Sequence, residues 1–307
     1  MNKICVIGAN GFVGRSLCSE LVKSNRTIKG IVRFLDTNFI SKKIRYISVG
    51  NIGPETEWKD LLSGYDCIVH CAGKVPETNK NNQLEAYMAS NVDVTRILAQ
   101  QAAEAGVKRL IFLSSIKVNG ESTDYTLINS NKNNLKNNIF TETDLPNPED
   151  PYAISKLEAE KVLWEISSKT GLKVVVVRLP LVYGYGAKGN LAKLIKIVRS
   201  GIPLPLSLVK NQRSMIGIDN LVDLLMRCID HPKASGKTFL ASDGEDLSTP
   251  ELIKLIASSM GRKANLFPLP ILMLKFLGSI FGRREEVNRL VGSLCIDNSY
   301  TKETLNW

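Results

Sequence analysis

The chain has 307 residues, 44% hydrophobic and 23% charged, enough for one large domain or two joined ones around a substantial core. Met1-Asn2-Lys3 runs straight into the apolar Ile4-Cys5-Val6-Ile7. With neither the long apolar core nor the cleavage site of a signal peptide, a cytoplasmic location is expected. The net charge of +10 comes from scattered Lys and Arg with no basic block. That scatter argues against nucleic acid and leaves an anionic small substrate or a solvated basic surface.

Six cysteines, at Cys5, Cys18, Cys67, Cys71, Cys228 and Cys295, lie mostly in apolar runs without C-x-x-C spacing, and read as reduced core residues. The two histidines, His70 and His231, are too few for a His-rich metal site, so no metal is expected. His70 ends a strand-like run and reads as a packing residue.

In chain order, Ile4–Ile7 predicts a strand. A helix with Val13, Leu17 and Leu21 on one face follows, then strands at Ile28–Val32 and Ile44–Val49. The alternation continues through Cys67–His70, a helix around Glu85–Ala105, a strand at Leu110–Leu113, a helix from Pro151 to about Lys169, and a strand at Val174–Leu179. The unbroken apolar runs predict strands covered on both faces, hence an α/β Rossmann-like, doubly wound parallel sheet.

Beyond Leu179 the regular pattern breaks into helices near Leu191–Arg199, Pro250–Met260 and Ile271–Phe281, with a strand at Thr238–Ala241. This part predicts a smaller substrate-binding lobe (179–212 and 243–307) closing over a dinucleotide-binding domain (1–178 with a returning segment, 213–242). Phe267–Gly282 is apolar except for Lys275 and Ser279, and too short to cross a bilayer. It reads as a buried helix of the lobe, with peripheral membrane docking as the other reading; stable membrane insertion is not expected. Asn129–Asn138, with six Asn in ten residues, predicts an exposed loop, taken as a candidate lid or partner contact or as an idle insertion.

Directly after the first strand, Gly8-Ala9-Asn10-Gly11-Phe12-Val13-Gly14 opens a helix. Glycine at Gly8, Gly11 and Gly14 allows a tight turn and close approach to a pyrophosphate at a helix N-terminus, with Asn10, Phe12 and Val13 beside it. The second strand ends at Arg33, where NAD-binding folds usually place an acidic residue on the adenosine ribose. A guanidinium suits a 2′-phosphate instead, with Arg15 a candidate helper, so NADP(H) is favoured and NAD(H) is the alternative. Asp36 is close enough to weaken that preference.

Asp150-Pro151-Tyr152-Ala153-Ile154-Ser155-Lys156 combines an N-cap, a proline at the first helical position, and Tyr and Lys one turn apart on one face. A neighbouring ammonium and the nicotinamide ring would lower the Tyr152 phenol towards the working range, making it a proton carrier, with Lys156 also holding the nicotinamide ribose. Ser115, at the C-terminal end of a sheet strand, can hydrogen-bond the reacting oxygen.

These segments resemble the extended short-chain dehydrogenases, specifically the nucleotide-sugar epimerase/dehydratase/reductase family. The likeness is carried by Gly8–Gly14, Asp66–Ala72, Asn91–Thr95, Ser114-Ser115, Tyr152–Lys156, Arg178–Gly184 and Arg213–Leu221, in that order. It implies Ser115, Tyr152 and Lys156 as catalytic residues and Asn51, Ile52, Cys71, Ala72, Gly73, Asn91 and Pro180 as further cofactor contacts. It also implies Lys117, Asn190, Arg213 and Arg289 as contacts to a UDP-sugar, and a homodimer. Dehydratases carry Thr-Asp-Glu where this chain has Ser115-Ile116-Lys117, so dehydration is not expected.

Arg33, and Leu181 where epimerases often carry Asn, favour reduction of a UDP-4-keto-6-deoxy-N-acetylhexosamine. The resemblance places such a step, towards UDP-N-acetylquinovosamine, in bacterial surface polysaccharide synthesis. A UDP-glucose or UDP-N-acetylglucosamine 4-epimerase is the alternative, and a non-catalytic dinucleotide sensor a remote one.

Overall fold

The structure, a computed structural model, describes residues 1–35, 41–74, 83–123, 139–187 and 189–307. The expectations for Asp36 and Asn129–Asn138 lie outside the described residues.

Ten strands are present among the described residues: β1 (Lys3–Ile7), β2 (Thr27–Val32), β3 (Ile44–Ser48), β4 (Cys67–His70), β5 (Arg109–Ser115), β6 (Lys173–Leu179), β7 (Leu181–Tyr183), β8 (Arg213–Gly217), β9 (Lys237–Leu240) and β10 (Asp246–Leu247). The large sheet has the order β3-β2-β1-β4-β5-β6-β9 with every pairing parallel. It is the Rossmann-like sheet expected. Its strand order reverses between β1 and β4, which opens a crevice at their C-terminal ends.

Successive side chains of β1 explain why its run is apolar throughout. Ile4 and Val6 face a core shared with α1 (Phe12–Leu21) and α7 (Ile218–Asp230), while Cys5 and Ile7 face α4 (Val94–Glu104) and α5 (Pro151–Thr170). With both faces covered, no position tolerates a polar residue. All six cysteines are free and, apart from the half-buried Cys71, buried. Burial pushes the thiols of Cys5, Cys18 and Cys228 up to about 12. His70 is likewise a core residue, 5.7 Å from the Phe112 ring and 3.3 Å from Thr95 Oγ1, and burial depresses it to about 3.

The helix expected around Glu85–Ala105 is interrupted. The short α3 (Gln83–Tyr87) passes into a π-helical turn, Met88–Asp93, before α4 begins. The returning segment also divides. β8 joins β7 and β10 in a second, three-stranded sheet, and only α7 and β9 come back to the large one. Arg109, at the start of β5, locks that return by donating to the carbonyls of Cys228 and Ile229, both at 2.7 Å, at the C-terminal end of α7.

A third core joins α6 (Asn190–Ser200) to α8 (Thr249–Ser259) and α9 (Ile271–Ile280) through Val198, Ile253, Ala257 and Leu274. The expectation of a buried helix at Phe267–Gly282 is corrected here. α9 forms, but it buries only Leu274 and Gly278, while Leu272 is 82% and Phe276 66% exposed. Its covered side also meets α10 (Arg284–Val291), where a Cβ on Gly278 would come within 2.6 Å of Val287. The short α2 (Lys59–Leu62) and α11 (Ser299–Leu305) complete the chain. No described helix is long and apolar enough to cross a membrane.

Candidate active site

The glycine turn sits at the C-terminal end of β1. Gly8 takes φ +81°, which glycine adopts without strain, and its amide reaches the Ile31 carbonyl at 2.9 Å. Gly14 is required by space, since a Cβ there would lie 2.2 Å from the Gly8 oxygen. Gly11 is the N-cap of α1 and supplies no side-chain acceptor, so no side chain caps that helix end. Amides at such an end suit an anionic group.

Across the crevice, Cys71, Ala72 and Gly73 follow β4, and a Cβ on Gly73 would come within 3.3 Å of both Lys156 Nζ and Asn91 Oδ1. A bare backbone beside Lys156, facing a glycine turn at a helix end, fits a nicotinamide dinucleotide. Arg33 is exposed at the end of β2, where its carbonyl accepts from Ser48 and Gly50. Arg15, exposed on α1, donates to the Asn10 carbonyl at 3.1 Å. Beyond β3, Asn51 lines a surface hollow with Val49, Thr56 and Leu61, and Ile52 is half-buried beside it.

The proposed catalytic side chains converge from β5 and α5. Asp150 caps α5 by accepting from the Ala153 amide at 2.7 Å, with Pro151 at the first position. Tyr152 is hydrogen-bonded to Ser115, which also caps the short turn Ile116–Val118 by accepting from the Lys117 amide at 3.3 Å. Lys156, buried one turn further along, donates to the Leu113 carbonyl at 2.9 Å, with its Nζ 4.5 Å from the centre of the Phe112 ring. Tyr87 packs edge-on against Tyr152 at 5.9 Å.

The electrostatics differ from the sequence expectation in one respect. Burial pushes the Tyr152 phenol up to about 12, outweighing the opposing hydrogen bond from Ser115. Lys156 acts on the Leu113 carbonyl rather than directly on the phenol, so the expected lowering is not seen in the chain by itself. Burial also brings Lys156 down to about 8, with Glu160 opposing the fall. At neutral pH the ammonium therefore keeps its charge and the phenol its proton.

Glu160 was not anticipated. It extends the Tyr152–Lys156 row by another turn, accepts from Arg178 at 3.1 and 2.7 Å and from Ser114, and is 2% exposed. Arg178 then reaches Asn119 at 2.9 Å. The i, i+4, i+8 spacing was the available signal, because a carboxylate on the buried row of a helix needs a partner. Asn91 is a tie in this structure: it accepts from the Lys74 amide at 2.8 Å and donates to Ser155 Oγ at 3.0 Å. Lys117 joins Asp150 and Glu121, both at 2.6 Å, beside Tyr152.

The other expected substrate contacts lie on β8, α10 and α6. Arg213, on β8, donates to the carbonyls of Arg289 at 2.9 Å and Gly292 at 3.1 Å, while Arg289 pairs with Glu285. Asn190 is the exposed first residue of α6, and Pro180 lies between β6 and β7. Leu181 is partly exposed at the start of β7.

Residues 4–241 match the model of the NAD dependent epimerase/dehydratase family. The chain belongs to that family. This member is 40% identical over 309 residues to a UDP-glucose 4-epimerase of Vibrio cholerae, covering 99% of this chain and 90% of that protein. It is also similar to a UDP-2-acetamido-2,6-beta-L-arabino-hexul-4-ose reductase of Pseudomonas aeruginosa, 24% identical over 81% of this chain and 55% of that one. In fold it matches a UDP-glucuronic acid 4-epimerase of Bacillus cereus solved with NAD, at a TM-score of 0.78 and 20% identity over 99% and 92% of the two chains. This family member is thus a dinucleotide-binding enzyme acting as a nucleotide-sugar 4-epimerase or 4-reductase.

Proposed function

We propose that the enzyme interconverts the C4 epimers of a UDP-hexose or UDP-N-acetylhexosamine. The observation that carries this reading is the 40% identity to the Vibrio cholerae 4-epimerase along nearly the whole chain; the convergence of Ser115, Tyr152 and Lys156 supports it. The large sheet with α1, α4, α5 and α7 holds the dinucleotide, and the segments carrying β7, β8, β10 and α6, together with Arg289, hold the UDP-sugar.

In this reading Gly8, Gly11 and Gly14 admit the pyrophosphate, with Asn10, Phe12 and Val13 beside it. Arg33, Asn51 and Ile52 surround the adenosine. Cys71, Ala72, Gly73, Asn91 and Pro180 line the nicotinamide side, where Lys156 holds the ribose. The bound nicotinamide supplies a reversible hydride acceptor at C4. Tyr152 exchanges the proton of the C4 oxygen and Ser115 hydrogen-bonds the same oxygen. Lys156 stays cationic at neutral pH and favours the phenolate when it forms. Arg213, Arg289 and Asn190 bind the diphosphate, and Lys117, held by Asp150 and Glu121, fixes the start of α5 beneath Tyr152.

A second reading, one-way reduction of a UDP-4-keto-6-deoxy-N-acetylhexosamine with NADPH, is favoured by one observation: Arg33 directly follows β2, where NAD-specific sites carry an acid. The deciding test measures nicotinamide retained by the purified enzyme and then turnover. Tightly held NAD with interconversion of UDP-GlcNAc and UDP-GalNAc, lost in Tyr152→Phe, supports epimerisation. Stoichiometric NADPH oxidation by the 4-keto sugar without interconversion overturns it in favour of the reductase.

A further inference from the structure

Helix α9 presents an apolar face to solvent that its own fold leaves uncovered. Leu272, Phe276 and Ile280, one turn apart, are 82%, 66% and 61% exposed; Met273 and Phe281 widen the stripe at 51% and 72%. The back of the helix is fixed, with Leu274 in the third core and Gly278 against Val287 of α10, so the stripe cannot turn inward without leaving that core. An exposed cluster of this size marks a contact surface.

The charge around it selects the occupant. Between residues 261 and 284 stand Arg262, Lys263, Lys275, Arg283 and Arg284, with no Asp or Glu. Arg283 and Arg284 are exposed directly beyond the apolar tip, and Lys275 is partly buried within the helix itself. Acidic residues resume only at Glu285 and Glu286, in the first turn of α10, where Glu285 is paired with Arg289. Aromatic and aliphatic side chains on one face, with cations at the margin and no anions among them, match the headgroup boundary of an anionic bilayer. At ten residues, α9 is far too short to span one.

We propose that α9 is an interfacial anchor that seats the enzyme on an anionic lipid surface, with Leu272, Phe276, Ile280 and Phe281 in the acyl boundary and Arg283 and Arg284 on the headgroups. Lys275 extends its ammonium from the apolar face towards the phosphates. The anchor is independent of which C4 reaction the site runs.

The test is flotation of the full-length enzyme with vesicles of phosphatidylcholine containing about a third phosphatidylglycerol, against pure phosphatidylcholine, with sedimentation velocity on the same samples. The wild type should float with the anionic vesicles, and the partition should weaken as salt is raised. Leu272→Ser/Phe276→Ser/Ile280→Ser should reduce partition by about 100-fold or more. Arg283→Ala/Arg284→Ala should reduce it by roughly 25-fold. Both variants should keep wild-type turnover on soluble UDP-sugar, which also establishes that they fold. The proposal is overturned if the wild type stays in solution with anionic vesicles, if it partitions equally into pure phosphatidylcholine, or if the apolar variant converts a dimer into monomers, which would make the stripe a self-association face.

Discussion

Replacing Glu160 by Gln should cost far more stability than its size suggests. The carboxylate is buried and accepts two hydrogen bonds from Arg178, at 3.1 and 2.7 Å, plus one from Ser114. Arg178 is itself buried, and its other side-chain hydrogen bond goes to the neutral side chain of Asn119. Gln keeps the shape but turns an amide donor towards the guanidinium and leaves a buried cation uncompensated, a loss of about 3–5 kcal/mol. That is a large share of the roughly 5–15 kcal/mol that holds a domain together.

Urea unfolding followed by the fluorescence of fully buried Trp58 would measure the loss as a lower midpoint at unchanged slope. Removing both charges in Glu160→Met/Arg178→Leu should cost less than Glu160→Gln alone, because no charge is then stranded. The single variant should also move the alkaline limb of activity to lower pH. Lys156 is held at about 8 against burial partly by Glu160, so without that charge it loses its proton sooner. A midpoint within about 0.5 kcal/mol of wild type, or a double variant weaker than the single by the full additive amount, would refute the reasoning.

Gly14→Ala should abolish dinucleotide retention and lower the thermal midpoint, since the new methyl would lie 2.2 Å from the Gly8 oxygen and about 1–3 kcal/mol of overpacking follows; scanning calorimetry with and without NAD checks both. Asp150→Ala should cost about 1 kcal/mol for the lost cap and lower kcat more than it raises KM, because Tyr152 sits in the first turn that Asp150 holds. Asp66 is lowered to about 2 by Lys108 and by the Lys3 and Asn2 amides, so its contribution is complete above its ordinary 3.8 and is lost as pH falls from there through about 2. Asp66→Asn should therefore flatten the acid-unfolding curve in that window and cost about 1 kcal/mol at pH 7 after solvent screening.

What could be read before the fold was known follows from the range of each interaction. Tyr152 and Lys156, or Gly8 and Gly14, are placed relative to one another by a single helix or turn, so their spacing, read with the strands and helices around it, brought them out. The apolar runs of β1 and β6 were equally plain, because a strand covered on both faces has no solvent side to encode. The Glu160–Arg178 pair joins a helix to a strand, and the link from Lys117 to Asp150 crosses from one loop to another helix; neither has a local signature. α9 was misread for a related reason. In a nearly uniform apolar segment the sequence does not say which side meets a partner, and here the neighbours cover one side only.

The π-helical turn at Met88–Asp93 makes regularity and utility pull in opposite directions. One residue more than an α-helix would hold brings Asn91 round to reach both Lys74 and Ser155. Deleting a single residue there would heal the helix and improve its own hydrogen bonding, yet swing Asn91 by about 100° away from the crevice. A search for more stable variants would select that shortening, and a search for turnover would reject it, so this one position offers a direct reading of which pressure shaped the chain.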